Sequence, residues 1–318
     1  MKTTFPMLIR REFWEHKSLW IAPLVWVGLI TLFFNWAMLH VPDGSGHSGI
    51  KVDGRPVAEM SISGTELQHK LDVPEERKEG AFAVSYLAIF GLISVFMTIV
   101  VFFYLIDCLY TERKDRSILF WKSLPVSDTS VVLSKLAVAM LVVPIGVILL
   151  TAVTQLVNYL TALAILHGTI IGEIFPDWSF GAWLRSQAIA LGVMLGGVLW
   201  YVPIAGYLML LSAWAKNKVF LWAILPPIAL PVLEKVFLQS NHVLDFLGQR
   251  FTGYIGLMKV DPNAFEAGDH ERFPAVNDVY NAFHLSSVFT SAEMWLGVAA
   301  GAAMVFAAIR IRRFRDES

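Results

Sequence analysis

Apolar and polar positions fall in long blocks along this chain rather than in the short alternation of a soluble fold. Six apolar blocks, residues 19–41, 81–106, 131–165, 184–214, 219–238 and 292–309, each match or nearly match the ~20 residues that a helix needs to cross ~30 Å of hydrocarbon. The third block is roughly 50 Å long as a helix, so it must tilt, kink at Pro144 or project from the membrane. Residues 1–18 mix Phe5, Leu8, Ile9, Phe13 and Trp14 with Arg10, Arg11, Glu12, Glu15 and Lys17, the pattern of a helix lying in the membrane interface. The block at 19–41 is too long for a signal-peptide core and lacks a small-residue cleavage site, so no cleavable targeting peptide is expected. The polar stretch 41–80 reads as an external loop.

The expected class is therefore all-α: a polytopic membrane protein, one transmembrane domain over residues 1–318. Composition agrees, with 56% hydrophobic and only 16% charged residues, 11 Trp and 22 Phe. Net charge is −1, which gives no footing for nucleic acid. The lattice of charges is more informative than the sum. The amino-terminal segment, the stretch after the second block through Lys135, the Lys216–Lys218 turn and the tail hold 4, 5, 2 and 4 of the 25 Lys and Arg residues. The intervening loops hold 5, 0 and 3. By the positive-inside rule both termini face the cytoplasm, in a plasma or bacterial inner membrane. Cys108, the single cysteine, allows no internal disulfide and is expected to react only from that side.

One polar stretch, 107–128, is too amphipathic to be a plain linker. Ile118, Leu119, Trp121 and Leu124 are spaced along one side of a short helix, with Arg113, Arg116 and Lys122 at its ends. Pro125 ends it, and Ser127 or Asp128 caps the next helix. Read without further context it is a cytoplasmic loop lying on the membrane surface.

Inside the blocks, Thr151, Thr154, Gln155, Asn158 and Thr161 share one helix face and must look into the protein or into water. They form either an interhelical hydrogen-bond seam or part of a pathway. The fifth block carries Pro226, Pro227 and Pro231, then Glu234 and Lys235, whose opposite charges can neutralise each other only if they are sheltered or near the interface. It is either a kinked packing helix or a gate. In 239–291, Val243–Leu247 and Phe251–Met258 are too short to span and too apolar to float, so they should dip into the bilayer or pack on the spans. Gly192/Gly196 and Gly297/Gly301 have the spacing of close helix packing.

No metal-ligand or catalytic spacing is found. The eight histidines are scattered, and Gly46–Gly49 lies among turn residues that could not hold a nucleophile rigidly. The chain has no phosphate-binding loop of the G-x-x-x-x-G-K-S/T kind.

Glu112-Arg113, followed by Pro125-Val126-Ser127 and then Lys135, resembles the signature between spans two and three of ABC-2-type transporter permeases. The plan of an interfacial amino-terminal helix, six spans and a long segment before the last also resembles that family over nearly the whole chain. The family's Gly-Thr is replaced here by Arg116-Ser117, which puts the local turn geometry in question. The resemblance implies a transport subunit, an exporter rather than an enzyme, with no cofactor of its own. It implies two copies of an ABC ATPase carrying ATP and Mg, and a second permease subunit, the same or related. It also implies that 107–128 is a coupling segment, with Glu112, Arg113, Arg116, Ile118, Leu119, Trp121, Leu124 and Pro125 as ATPase-coupling residues and Arg10 and Arg11 beside them. Thr151, Thr154, Gln155, Asn158, Pro226, Pro227, Pro231, Glu234 and Lys235 become pathway or gating candidates, and 239–291 a re-entrant external segment. An intramembrane hydrolase and a non-transporting scaffold or sensor stay open as other readings.

Overall fold

The computed structural model describes residues 4–40, 51–52, 55–56, 74–123, 126–167, 179–258 and 274–314. Apart from a two-residue antiparallel pairing of β1 (Lys51–Val52) with β2 (Arg55–Pro56), every described element is helical. Among the described residues six helices are long and apolar enough to cross a membrane, so the chain is a membrane-embedded, multi-pass protein.

An amphipathic α1 (Thr4–Glu15) leads into α2 (Ser18–Leu39). The second span is α3 (Glu75–Asp107), followed by α4 (Tyr110–Lys114) and α5 (Ser117–Ser123). The third is α6 (Asp128–Ala137), a π-helical turn at Val138–Val142 and α7 (Val143–Leu166). Ser127 caps α6, its hydroxyl accepting the Ser130 amide at 3.1 Å. The π turn lies directly before Pro144, whose ring would clash with the carbonyl four residues back; the changed register accommodates the long third block without ending it.

The expected fourth span, 184–214, is two helices. α8 (Phe180–Trp200) stops at Tyr201, and α9 (Val202–Trp214) restarts with Pro203 in its first turn. Proline tolerates a first turn and not a helix interior, which fixes the break here. α10 (Val219–Leu238) remains helical through its three prolines. Pro226 leaves the Trp222 carbonyl without its intrahelical donor, and the Tyr207 hydroxyl donates to that oxygen at 3.1 Å. Then come α11 (His242–Met258), α12 (Val276–Asn281), α13 (Leu285–Thr290) and α14 (Ala292–Phe314).

The main core runs between α3, α6, α7, α9 and α14 through Ile93, Met97, Leu105, Val132, Met209 and Ala308. α9 and α14 approach at backbone distance: a Cβ on Gly206 would lie 2.6 Å from the Gly301 oxygen, so only glycine permits this crossing. A smaller core of Trp200, Tyr254, Met258, Val288 and Met294 seats α11 and α13 on α8 and α14. The two apolar pieces expected at 243–247 and 251–258 are thus one continuous helix packed on the spans. Trp200 Nε1 donates to the Arg250 oxygen at 2.9 Å, and the Tyr254 hydroxyl donates to the Val193 oxygen. The Gly192/Gly196 and Gly297/Gly301 pairs face neighbours within the chain: Leu285, Tyr254, Arg250 and Val202.

α1 and the last turn of α14 meet at the same end of the bundle, hereafter the terminal end. Cys108 lies there but is 1% exposed, enclosed where α3 ends. A reagent that reports sidedness through Cys108 would therefore have to enter the folded bundle to reach it.

Candidate functional site: a buried ion cluster at the terminal end

α1 places Glu12 one turn after Leu8, on the face it turns toward the bundle, and both side chains are buried. Lys135, on α6, is fully enclosed, and its Nζ lies 2.8 and 2.9 Å from the two Glu12 oxygens. The Tyr104 hydroxyl, from α3, donates to Glu12 Oε2 at 3.0 Å. A buried ammonium costs several kcal/mol unless it is paired and hydrogen-bonded, so these three helices are bound together by the need to satisfy Lys135.

Glu112 is the centre of the cluster. Its Oε1 accepts Arg11 Nη2 at 2.7 Å and lies 3.1 Å from Lys135 Nζ; its Oε2 accepts Arg312 Nη1 at 2.5 Å. Arg312, on α14, also donates through Nε to Asp128 at the start of α6, at 3.1 Å. Arg11 reaches back to Glu15 with Nε at 2.7 Å. One carboxylate thus joins the amino-terminal helix, the segment after span two, the head of span three and the end of span six.

Arg113 acts differently. Its Nη2 donates to the Ser212 and Ala215 oxygens at 2.6 and 2.8 Å, capping the carbonyl end of α9. In return the Ser212 hydroxyl accepts the Leu109 and Tyr110 amides, each at 3.0 Å. Arg116 is exposed with φ 58, the left-handed conformation that glycine adopts without cost. The turn that separates α4 from α5 is therefore built with an arginine where the resembled signature has glycine.

Within α5, adjacent residues point about 100° apart, and the side chains divide accordingly. Ile118 is buried in the bundle, whereas Leu119 is 54% exposed. Ile118 and Leu119, two of the four apolar residues expected along one side of this helix, are thus split, with Ile118 holding the helix down. Trp121 lies in α5, and Leu124 and Pro125 lie outside the described residues. Arg10 is exposed on α1, beside Arg11 but outside the cluster.

His16 follows α1, packed edge-on against Tyr104 at 4.9 Å between ring centres. Burial, then the Lys135 charge, holds its imidazole below the ordinary value, against the opposing pull of Glu12, Asp107 and Glu15. Ligand-type atoms of Glu12, Glu15 and His16 lie within 4.8 Å of one another. The Glu12 oxygens are already held by Lys135 and Tyr104, and Glu15 by Arg11, so these donors are committed to cations of the chain itself.

The second group of candidates lies toward the other end of α7. Thr151, Thr154, Gln155 and Asn158 are all buried, so the stripe faces the protein interior. Gln155 Nε2 donates to the Tyr86 oxygen of α3 at 3.1 Å, and Gln187 of α8 donates to Gln155 Oε1. The candidates on α10 are not part of this group. Pro226, Pro227 and Pro231 are half-buried within α10. Glu234 is buried, and its carboxylate accepts the Ser240 hydroxyl at 2.6 Å and the His242 and Val243 amides at 2.9 and 2.7 Å. It caps the amino-terminal turn of α11, a stabilising position for a carboxylate. Lys235 is exposed, so the condition for the two charges to neutralise each other is not met, and Glu234 turns instead toward α11.

The ion cluster itself was only partly legible in the sequence. Glu112 and Lys135 belong to the quoted signature, but Tyr104 and Arg312 were not singled out, and Glu12 and Asp128 were read only as an interfacial charge and a helix cap. The available signal was positional: Glu12 follows Leu8 by one turn, and Lys135 falls three and four residues after the buried Val132 and Val131.

Comparison of the chain with protein-family models, with curated proteins and with solved structures gives no match.

Proposed function

We propose that this chain is the membrane-spanning subunit of an ATP-driven transporter of the ABC-2 type, an exporter that works as a dimer of permease subunits with two separate ATPase subunits. ATP and Mg belong to those ATPases. In this reading both termini are cytoplasmic, α1 lies in the inner interface, α5 is the coupling helix and α11 to α13 form the re-entrant external segment.

The observation that supports it best is the Glu112 centre. A loop whose only task is to connect two spans has no need of a buried carboxylate tying it to three other elements. A lever does: displacement of α5, through its exposed Leu119 face, is passed by Glu112 to α1, α6 and α14 together. Arg113 passes the same displacement to α9 through the α9 carbonyls. The packing of α11 across α8 and α14 supports a cap on the opposite side of the pathway.

The decisive experiment is affinity purification of the intact chain from its own membranes, followed by measurement of ATP hydrolysis. Co-purification of an ABC ATPase, lost in Leu119→Asp, is the expected result. A correctly inserted parent chain that brings down no ATPase, or a Leu119→Asp variant that retains it, overturns the reading in favour of a scaffold or sensor.

A further inference from the structure

The polar stripe of α7 contains groups that the chain does not satisfy. The Asn158 side chain is 3% exposed, and neither its Nδ2 nor its Oδ1 has a hydrogen-bond partner among the described residues. The same holds for Thr151 Oγ1, on a fully buried residue, and for Gln187 Oε1 on α8. Thr151, Gln155 and Asn158 follow one another at spacings of four and three, so they share one helix face over roughly 10 Å. Gln155 bridges this face to both α3 and α8 through Tyr86 and Gln187. Four unmatched polar atoms, on Thr151, Asn158 and Gln187, therefore flank the bridge that Gln155 makes between α3 and α8.

We infer that Thr151, Asn158 and Gln187 line a binding site for an uncharged hydrogen-bonding group, a water or the hydroxyl of a small solute. The two acceptor oxygens of Asn158 and Gln187 need a donor, the Asn158 amide nitrogen needs an acceptor, and the Thr151 hydroxyl serves as either. A hydroxyl and a water are the simplest groups that offer both. The groups bonded across the junction, Tyr86, Gln155 and Gln187, are all neutral, so an ion held among them would have no counter-charge from them. The site differs from the ion cluster, which lies at the terminal end of the same helices. It stands or falls independently of the ATP-driven reading.

The test is thiol chemistry matched for burial. A thiol reacts as its thiolate, which needs hydration, so a hydrated buried site and a dry one separate by rate. Asn158→Cys and Thr151→Cys, in the full chain in nanodiscs, are compared with Ala162→Cys on the same helix and with native Cys108. Ala162 and Cys108 are as deeply enclosed but have apolar or paired surroundings. With methyl methanethiosulfonate, modification at 158 and 151 is expected at least ~10-fold faster than at 162 or 108. Glycerol present during the reaction separates the two sources: slowing at 158 but not at 162 assigns the site to a solute hydroxyl, and no slowing assigns it to water. Asn158→Leu supplies a readout that does not need a reactive cysteine, since filling a hydrated site with an alkyl group lowers the melting temperature. Equal rates at 158 and 162, or a raised melting temperature in Asn158→Leu, overturn the inference.

Discussion

Glu112→Gln is the most direct probe of the ion cluster. The change keeps the shape of the side chain and removes one negative charge, leaving Arg11, Lys135 and Arg312 facing the position at 2.7, 3.1 and 2.5 Å. Breaking a buried ion pair from one side costs about 3–5 kcal/mol. Here each stranded cation keeps a second carboxylate, Glu15, Glu12 or Asp128, so the lower end applies, about 3 kcal/mol. That corresponds to a shift on the order of 100-fold in the folding equilibrium. Denaturant titration in mixed micelles, read by helical circular dichroism, measures it. A double-mutant cycle with Arg312→Gln isolates the pair, with an expected coupling of about 1–3 kcal/mol. Additivity within about 0.5 kcal/mol, or a Glu112→Gln variant as stable as the parent, would refute the cluster as a structural centre. Under the proposed transporter reading, the same variant should still bind an ABC ATPase while hydrolysis becomes less responsive to substrate.

Arg116→Gly should raise stability by roughly 1 kcal/mol, since it relieves the left-handed backbone of a residue that carries a Cβ; a loss in the same titration would show that the arginine side chain matters more than its φ. Glu234→Ala removes the cap of α11 and should cost about 1 kcal/mol, with faster amide exchange confined to the first turn of α11 in hydrogen-exchange mass spectrometry. Because His16 is held below its ordinary value, the neutral form is the one the fold favours: its contribution is complete above about pH 6.5 and is lost as pH falls toward the lowered value. Melting temperatures of parent and His16→Asn should therefore converge on acidification, and a gap independent of pH would contradict the assignment. Leu119→Asp should leave the isolated chain as stable as the parent, because Leu119 is exposed, and act only on assembly.

The span plan was legible because a ~30 Å apolar thickness is a coarse filter that long hydrophobic blocks satisfy or fail outright. Interior placement of Thr151 to Asn158 was legible for the same reason, since polar groups at helical spacing have one tolerable side. Pro203 was overlooked as a breaker because the residues around it are as apolar as a span, and hydropathy does not register a missing amide. The cap that Glu234 makes on α11 was not legible for a related reason: its neighbour in sequence, Lys235, lies 100° round the helix, and the three donors that claim its carboxylate come from residues 240–243. The cluster around Glu112 joins residues separated by up to 200 positions, and a single chain of letters carries no sign of which distant charges will meet.

The reciprocal caps between α4 and α9 have a mechanical consequence. Ser212 holds two amides at the start of α4, and Arg113 holds two carbonyls at the end of α9, so the two helix ends move as one piece or lose four backbone hydrogen bonds at once. Bending is thereby driven away from the terminal end. It falls instead on the backbone joints that interrupt regular helix farther along: the break at Tyr201, the π turn at Val138–Val142 and the proline run of α10. The terminal end is a rigid handle, and these three joints are the elbows at which the rest of the bundle turns.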